Sequence, residues 1–450
     1  MICGRAEEFE FMQKVESLFL EALRASLNAD TVQWTIEDVT PVEMTQLFRM
    51  AEVHHVVPMI FEAIFECEAA QQMPPQLLMK YKKNVIQSVA MQAMRTAEFQ
   101  MLFDYLRSAK IKPCVVKGLV CRNLYPNPDA RMSGDEDVFI PEAEFERVHQ
   151  LLLDYGMTLA EPTQDIHREY EVPYGMPGNS IYIELHKHMF PPESEAYGDL
   201  NRFFDGIHER SGDEAVIAGV GPRLHAGECG LIEDEINGAK ILSMNHTDHL
   251  LYLILHSFKH FLHSGFGIRQ VCDINLYAMA YGKDIDWAYV LGCLQEVRAD
   301  LFAVAMFVIG EKYLNFDPEK ACYPDRWRAI HVDETAMLDD LLDSGVFGQS
   351  NMSRKHSSNI TITAMIANNR GKKAPRKGGI LRSVFLPKSA LVGRYPYLQK
   401  FPFLLPVAWL QRVLKYRKET ARNAAGNNAA ESIKIGNERV ELMRKYGIIK

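Results

Sequence analysis

The triplet Asp135-Glu136-Asp137 is where chemistry is most legible in this chain. It leads into the apolar run Val138-Phe139-Ile140, which reads as a strand, and side chains on a strand alternate between its two faces. Asp135 and Asp137 then share one face, about 7 Å apart, and Glu136 takes the other, so that Glu136→Gln is expected to be nearly silent. Two carboxylates so placed suit hard cations that take oxygen ligands, magnesium above all. Residues 181–188 (IYIELHKH) also alternate, with Ile181, Ile183 and Leu185 facing a core and Tyr182, Glu184, His186 and His188 opposite. Glu184 would be the third carboxylate of a two-metal phosphoryl-transfer site. Taken alone, a D-x-D is also common on solvated turns, and a strand acid is often only exposed.

Two neighbours, besides Glu184, strengthen the metal reading. Lys117-Gly118 ends a short β-branched run in a glycine turn, where backbone N–H groups can approach a phosphate. Arg131, Ser133 and Gly134 offer a guanidinium, a hydroxyl and a flexible approach to a polyphosphate. His256, His260 and His263 recur at helical spacing beside Lys259 but lack an H-E-x-x-H arrangement. They read as a polar helix face lining the cleft, with His186, Lys259 and His260 near the nucleotide. Arg269 and Asp273, four apart, read either as a structural ion pair or as a substrate contact.

The elements that must position these groups follow from the hydrophobic pattern. Apolar residues recur at three and four through 7–108, which predicts helices. Between 113 and 190 the order strand, helix, strand, helix, strand predicts a small α/β sheet domain, with 172–180 (VPYGMPGNS) as a loop. Residues 245–315 are helical in pattern, and 350–380 is polar, basic and Gly-rich and reads as a linker. The expected organisation is a helical region at 1–108, a catalytic core at 109–235, a helical domain at 236–350, and a basic linker with a helical tail at 351–450.

Composition narrows the class. Among 450 residues, 47% are hydrophobic and 24% charged, which fits a soluble globular chain and excludes disordered, collagenous and disulfide-scaffold classes. The start MICGRAEEFEF lacks a secretory apolar core, and the longest apolar run, 301–310, is about half a membrane span. Eight cysteines without C-x-x-C spacing read as reduced thiols, and a cytoplasmic location is expected. The net charge of −8 hides an asymmetry: residues 354–422 hold sixteen Lys or Arg and a single acid, and 1–353 carry −25. A basic, aromatic C-terminal segment suggests an anionic membrane surface, at the inner membrane face, or docking on the acidic body itself. No strong nucleic-acid signal accompanies it.

The run CVVKGLVCRNLYPNPDARMSGDEDVFIPEAEFERVHQLLLDYGM resembles the signature of an uncharacterised nucleotidyltransferase family within the DNA polymerase β-like nucleotidyltransferase superfamily. The similarity extends to the N-terminal helices, to Leu185-His186, to HSFKHF…GIRQVCDI and, more loosely, to the YPYL…LLP…WLQR tail. It implies an α/β (α+β) nucleotidyltransferase core with a small mixed sheet, flanked by N-terminal and C-terminal helical regions. It also implies Asp135 and Asp137 as ligands of Mg²⁺ or Mn²⁺, Glu184 as the third, catalytic carboxylate, and an NTP whose NMP group moves to an acceptor with release of pyrophosphate. The superfamily's Gly-Ser after the first strand is here Lys117-Gly118, so the serine that helps hold the terminal phosphates is absent. Lys117 substitutes for it as a point charge, or only packs its stem. Similar proteins are often encoded among polysaccharide genes, which favours a sugar or lipid-linked acceptor by association. The alternatives are a catalytically silent nucleotide-binding or scaffold protein, a D-x-D glycosyltransferase, and a toxin-like transferase, against which the acidic body argues.

Overall fold

The computed structural model describes residues 2–163, 165–192, 194–208, 230–236, 238–263, 265–345, 352–371, 397–422 and 429–450, with 388, 391 and 395. The chain forms two compact units. The first comprises 1–194, 198–257 and 268–334; the second comprises 195–197, 258–267 and 335–450.

The first unit is built on one mixed sheet. In chain order its strands are β1 (Cys114–Val116), β2 (Glu136–Phe139), β3 (Thr158–Leu159), β4 (Glu171–Gly175), β5 (Tyr182–His186), β6 (Leu231–Ile236) and β7 (Ala239–Met244). Across the sheet they run β3-β4-β5-β2-β1-β7-β6. The central strand β2 is flanked by β1, antiparallel, and β5, parallel. Val115, Val138, Ile183 and Leu185 are all buried, as β-branched and aliphatic residues on central strands should be.

Two departures from the sequence reading concern the sheet. Residues 172–175, expected within a loop, belong to β4: Pro173 and the nearby glycines disguise an alternation in which Val172 and Tyr174 are fully buried. Beyond the expected core boundary at 235, β7 pairs in parallel with β1, and the Ser243 hydroxyl donates to the Val115 carbonyl at 2.9 Å. The Asn237-Gly238 dipeptide between two alternating runs is the hairpin signal that marks β6 and β7.

Helices surround this sheet. The helix Pro41–His54 starts at a capping box in which Thr40 accepts from the Glu43 N–H at 3.3 Å and the Glu43 carboxylate accepts from the Thr40 N–H at 2.7 Å. The helix Ile2–Leu27 packs on it and on Val57–Ile64, and the long helix Pro75–Ser108 runs from there towards β1. The helix Phe145–Asp154 stops before Gly156, whose φ of +101° reverses the chain into β3.

In the second unit the helix Met352–Asn369 packs on Ala429–Lys445. Their approach is close: a Cβ on Gly436 would lie 2.7 Å from Ile360 Cδ1. The first half of the segment expected as a linker is therefore a helix, because Ile360, Thr361, Ala364 and Met365 recur at helical spacing and are buried. Its second half, from 372 to 380, lies outside the described residues. Buried Arg439 donates to the carbonyls of Phe261 and His263, and Arg354 pairs with Asp340 at 2.5 Å. No described helix is long and apolar enough to cross a membrane.

Candidate active site

Strand register assembles the carboxylates. Asp137 lies opposite Glu184 between β2 and β5, and the parallel pairing keeps them on one face. His186, two residues along β5, shares that face, and Glu171 of β4 pairs with it in register. One ligand atom from each of Asp137, Glu184 and His186 lies within 4.8 Å of the others. Asp135 is half-buried and directly precedes β2.

The charges of this group are interlocked. Asp137 Oδ2 accepts from the Lys117 ammonium at 2.9 Å, and Asp137 Oδ1 lies 3.0 Å from His186 Nε2. Burial opposes ionisation of Asp137, but Lys117 and His186 more than offset it and hold the carboxyl below the usual carboxylate range. Burial works against the Lys117 ammonium as well, yet Asp137 and Asp135 raise its pKa. His186 is raised in the same way, its hydrogen bond to Asp137 outweighing burial. Glu184 moves in the opposite sense: burial first, then the charges of Asp137 and Asp135, push its carboxyl up to about 7. Asp135 is raised by burial and by Asp137.

The site thus gathers Asp135, Asp137, Glu184 and Glu171 around Lys117 and His186. Such a gathering of hard oxygen donors is what a divalent cation relieves. The residues fit magnesium or manganese. Among the described residues, His186 Nδ1 makes no hydrogen bond; Glu171 Oε2 lies 3.7 Å from it.

Lys117 reaches this position at a conformational cost. Its φ of 53° and ψ of −115° belong to a region that glycine occupies readily and side-chain-bearing residues rarely do. The backbone is held there by the Lys117 N–H, which donates to His249 Nε2 at 3.1 Å, while Lys117 Nζ lies 3.2 Å from His256 Nε2. His256, on the helix His246–His263, therefore does approach the site.

The other sequence candidates have different surroundings. Glu136 points away from Asp137, as alternation requires, but it is not idle. Its buried carboxylate accepts from Arg122 at 2.6 Å, from the Leu119 N–H at 2.8 Å and from the Ser133 hydroxyl at 3.3 Å. A Cβ on Gly118 would sit 2.0 Å from Glu136 Oε2, so this glycine makes room for a side chain of the chain itself. The expectation that Glu136→Gln is nearly silent is corrected accordingly. Ser133 accepts from Arg122 Nη1 at 2.6 Å through its hydroxyl, and its N–H donates to Gln92 Oε1 at 2.9 Å. Arg131 is committed to Asp273, with Nη2 at 2.5 Å from Oδ2, and Tyr125 donates to the same carboxylate at 2.7 Å. Asp273 therefore does not pair with Arg269, which donates to the Met132 carbonyl. Both networks fasten the loop that delivers Asp135. Gly134 is exposed with open space beside it, and Lys259 and His260 are half-buried residues of the second unit.

Sequence reading missed Glu171 and His249. Glu171 is hidden because β4 does not look like a strand, and His249 serves the site only through a backbone N–H. A family model described as an uncharacterised nucleotidyltransferase matches residues 40–315. No curated protein and no solved structure matches the chain.

Proposed function

The chain belongs to the uncharacterised nucleotidyltransferase family, and on that premise we propose that it moves an NMP group from an NTP to an acceptor hydroxyl, with magnesium or manganese, releasing pyrophosphate. The observation that supports this most is the register of Asp137 against Glu184, which gathers a carboxylate cluster with Asp135 at its edge. Asp137 and Glu184, with Asp135, would hold the cation. When bound, a divalent ion supplies charge neutralisation to the phosphates and acidifies the attacking hydroxyl.

The protein's own groups do the rest. Glu184, in register with Asp137, is placed to take the acceptor's proton as the new bond to the α-phosphorus forms and the bond to the leaving pyrophosphate breaks. Lys117, next to Gly118 where the superfamily has its serine, brings a positive charge to the site, and it offsets charge on the departing phosphates. His186 holds Asp137 Oδ1 and so fixes the carboxylate's orientation. The acceptor is proposed to be a sugar, a lipid-linked glycan or another small molecule.

A second reading, nucleotide binding without turnover, is favoured by one observation: both Asp137 oxygens already have protein partners, Lys117 and His186. Incubation with each α-labelled NTP, Mg²⁺ and pooled candidate acceptors, followed by mass spectrometry, separates the two. An NMP-bearing product abolished by EDTA supports transfer. Retention of intact NTP without any product supports the silent reading.

A further inference from the structure

The C-terminal part of the second unit carries an apolar face that its own core does not use. Leu391, Leu398 and Ala408 are buried there, with Leu404, Leu405 and Trp409 packed against them. These residues give the helix Leu405–Arg422 its inward side, and Tyr397 donates across to Gln411 at 2.9 Å to hold it. On the other side, Val407, Leu410 and Leu414, spaced three and four, are 41%, 59% and 55% exposed. Phe403, in the 3-10 turn Pro402–Leu404 just before the helix, is 75% exposed.

Three large apolar side chains on one helix face, with Phe403 in the turn before it, are more than scattered surface residues. The inward face already has a cluster of its own, so the outward stripe is surplus to this fold. Its charge setting points to the partner. From 400 to 422 the sequence holds Lys400, Arg412, Lys415, Arg417, Lys418 and Arg422 against the single acid Glu419. An apolar stripe within a cationic segment matches a bilayer interface, where acyl chains take the apolar groups and anionic headgroups attract the cations. The helix, roughly 27 Å long at 18 residues, is not apolar enough to cross a membrane.

We propose that the segment from Phe401 to Arg422 is an in-plane amphipathic anchor that seats Phe403, Val407, Leu410 and Leu414 in the surface of an anionic lipid bilayer. Binding then has two parts: an electrostatic part that salt screens, and an apolar part that it does not.

The test is co-sedimentation of the full chain with phosphatidylcholine–phosphatidylglycerol vesicles, and with phosphatidylcholine vesicles alone, at low and high salt. The expected result is binding to the anionic vesicles that weakens with salt, and at least about tenfold weaker partitioning for Leu410→Glu combined with Leu414→Glu. Both positions are exposed, so the double variant should melt with the wild type; Met94→Glu, an exposed site on another helix, should bind normally. Three results would overturn the proposal. They are a wild type that stays in the supernatant at low salt, a wild type that binds neutral vesicles equally well, and a double variant that loses self-association but keeps vesicle binding. The last would make the stripe an interface between copies of the chain.

Discussion

Replacing Lys117 by alanine and, separately, by glycine should invert the usual stability order of these two residues. Where backbone conformation is ordinary, alanine is the more stable by about 0.4–1 kcal/mol, because glycine has more freedom to lose. At φ 53° and ψ −115° a side chain costs about 1–3 kcal/mol. Both variants lose the ammonium and its 2.9 Å bond to Asp137, so that common cost cancels in the comparison. The net expectation is glycine over alanine by about 1–2 kcal/mol, a gap of roughly 1.5–3 °C in the melting of a unit of this size. Differential scanning calorimetry of the two purified variants reads it. If Lys117→Ala melts at or above Lys117→Gly, the backbone is not strained there. The idea that a lysine is kept at a glycine-like position for its charge then fails.

Four further outcomes follow from the site. Asp135→Asn should lower NMP transfer on the order of 10²-fold or more while leaving the melting temperature equal or higher, since amidation removes a repelled, half-buried carboxylate. Asp137→Asn should lose the same activity but also stability, because it strips Lys117 and His186 of their shared partner; an Asp137→Asn protein as stable as the wild type contradicts that pairing. Glu136→Gln should cost roughly 3 kcal/mol in urea unfolding through the stranded Arg122, and Gly118→Ala should destabilise the same turn; either variant unfolding like the wild type refutes the network. Glu184, raised to about 7, favours the fold below its unfolded pKa of about 4.5 and loses that contribution as pH rises to about 7. Metal-free protein should therefore lose up to roughly 3 kcal/mol over that window, and Glu184→Gln should flatten the slope.

Much of this arrangement is legible in the sequence because strand periodicity is strict. Once 135–140 and 181–188 are read as alternating strands, Asp137 and Glu184 each have a face, and only their relative register stays open. The structure supplies that register through the parallel pairing of β2 and β5. Family resemblance gave the nucleotidyltransferase reading, which no periodicity contains. What stayed hidden depends on long-range contact. Arg131 and Ser133 have the types a phosphate site wants, but Asp273 lies 142 positions from Arg131 in sequence and Gln92 lies 41 from Ser133. Gly118 looks like a phosphate turn, and only the folded chain shows the Glu136 carboxylate filling the space beside it. The helix Met352–Asn369 was masked by its polar, basic composition, although Ile360, Ala364 and Met365 kept the helical beat.

The central claim is that this carboxylate cluster transfers a nucleotidyl group. It is tested most directly by running one reaction twice, with NTP labelled at the α-phosphate and then at the γ-phosphate, using wild type and Glu184→Gln. The expected result is α-label on the acceptor, γ-label released as pyrophosphate, a requirement for Mg²⁺, and loss of both signals in the variant. Transfer of γ-label to the acceptor, or equal α-transfer by wild type and Glu184→Gln, would contradict it.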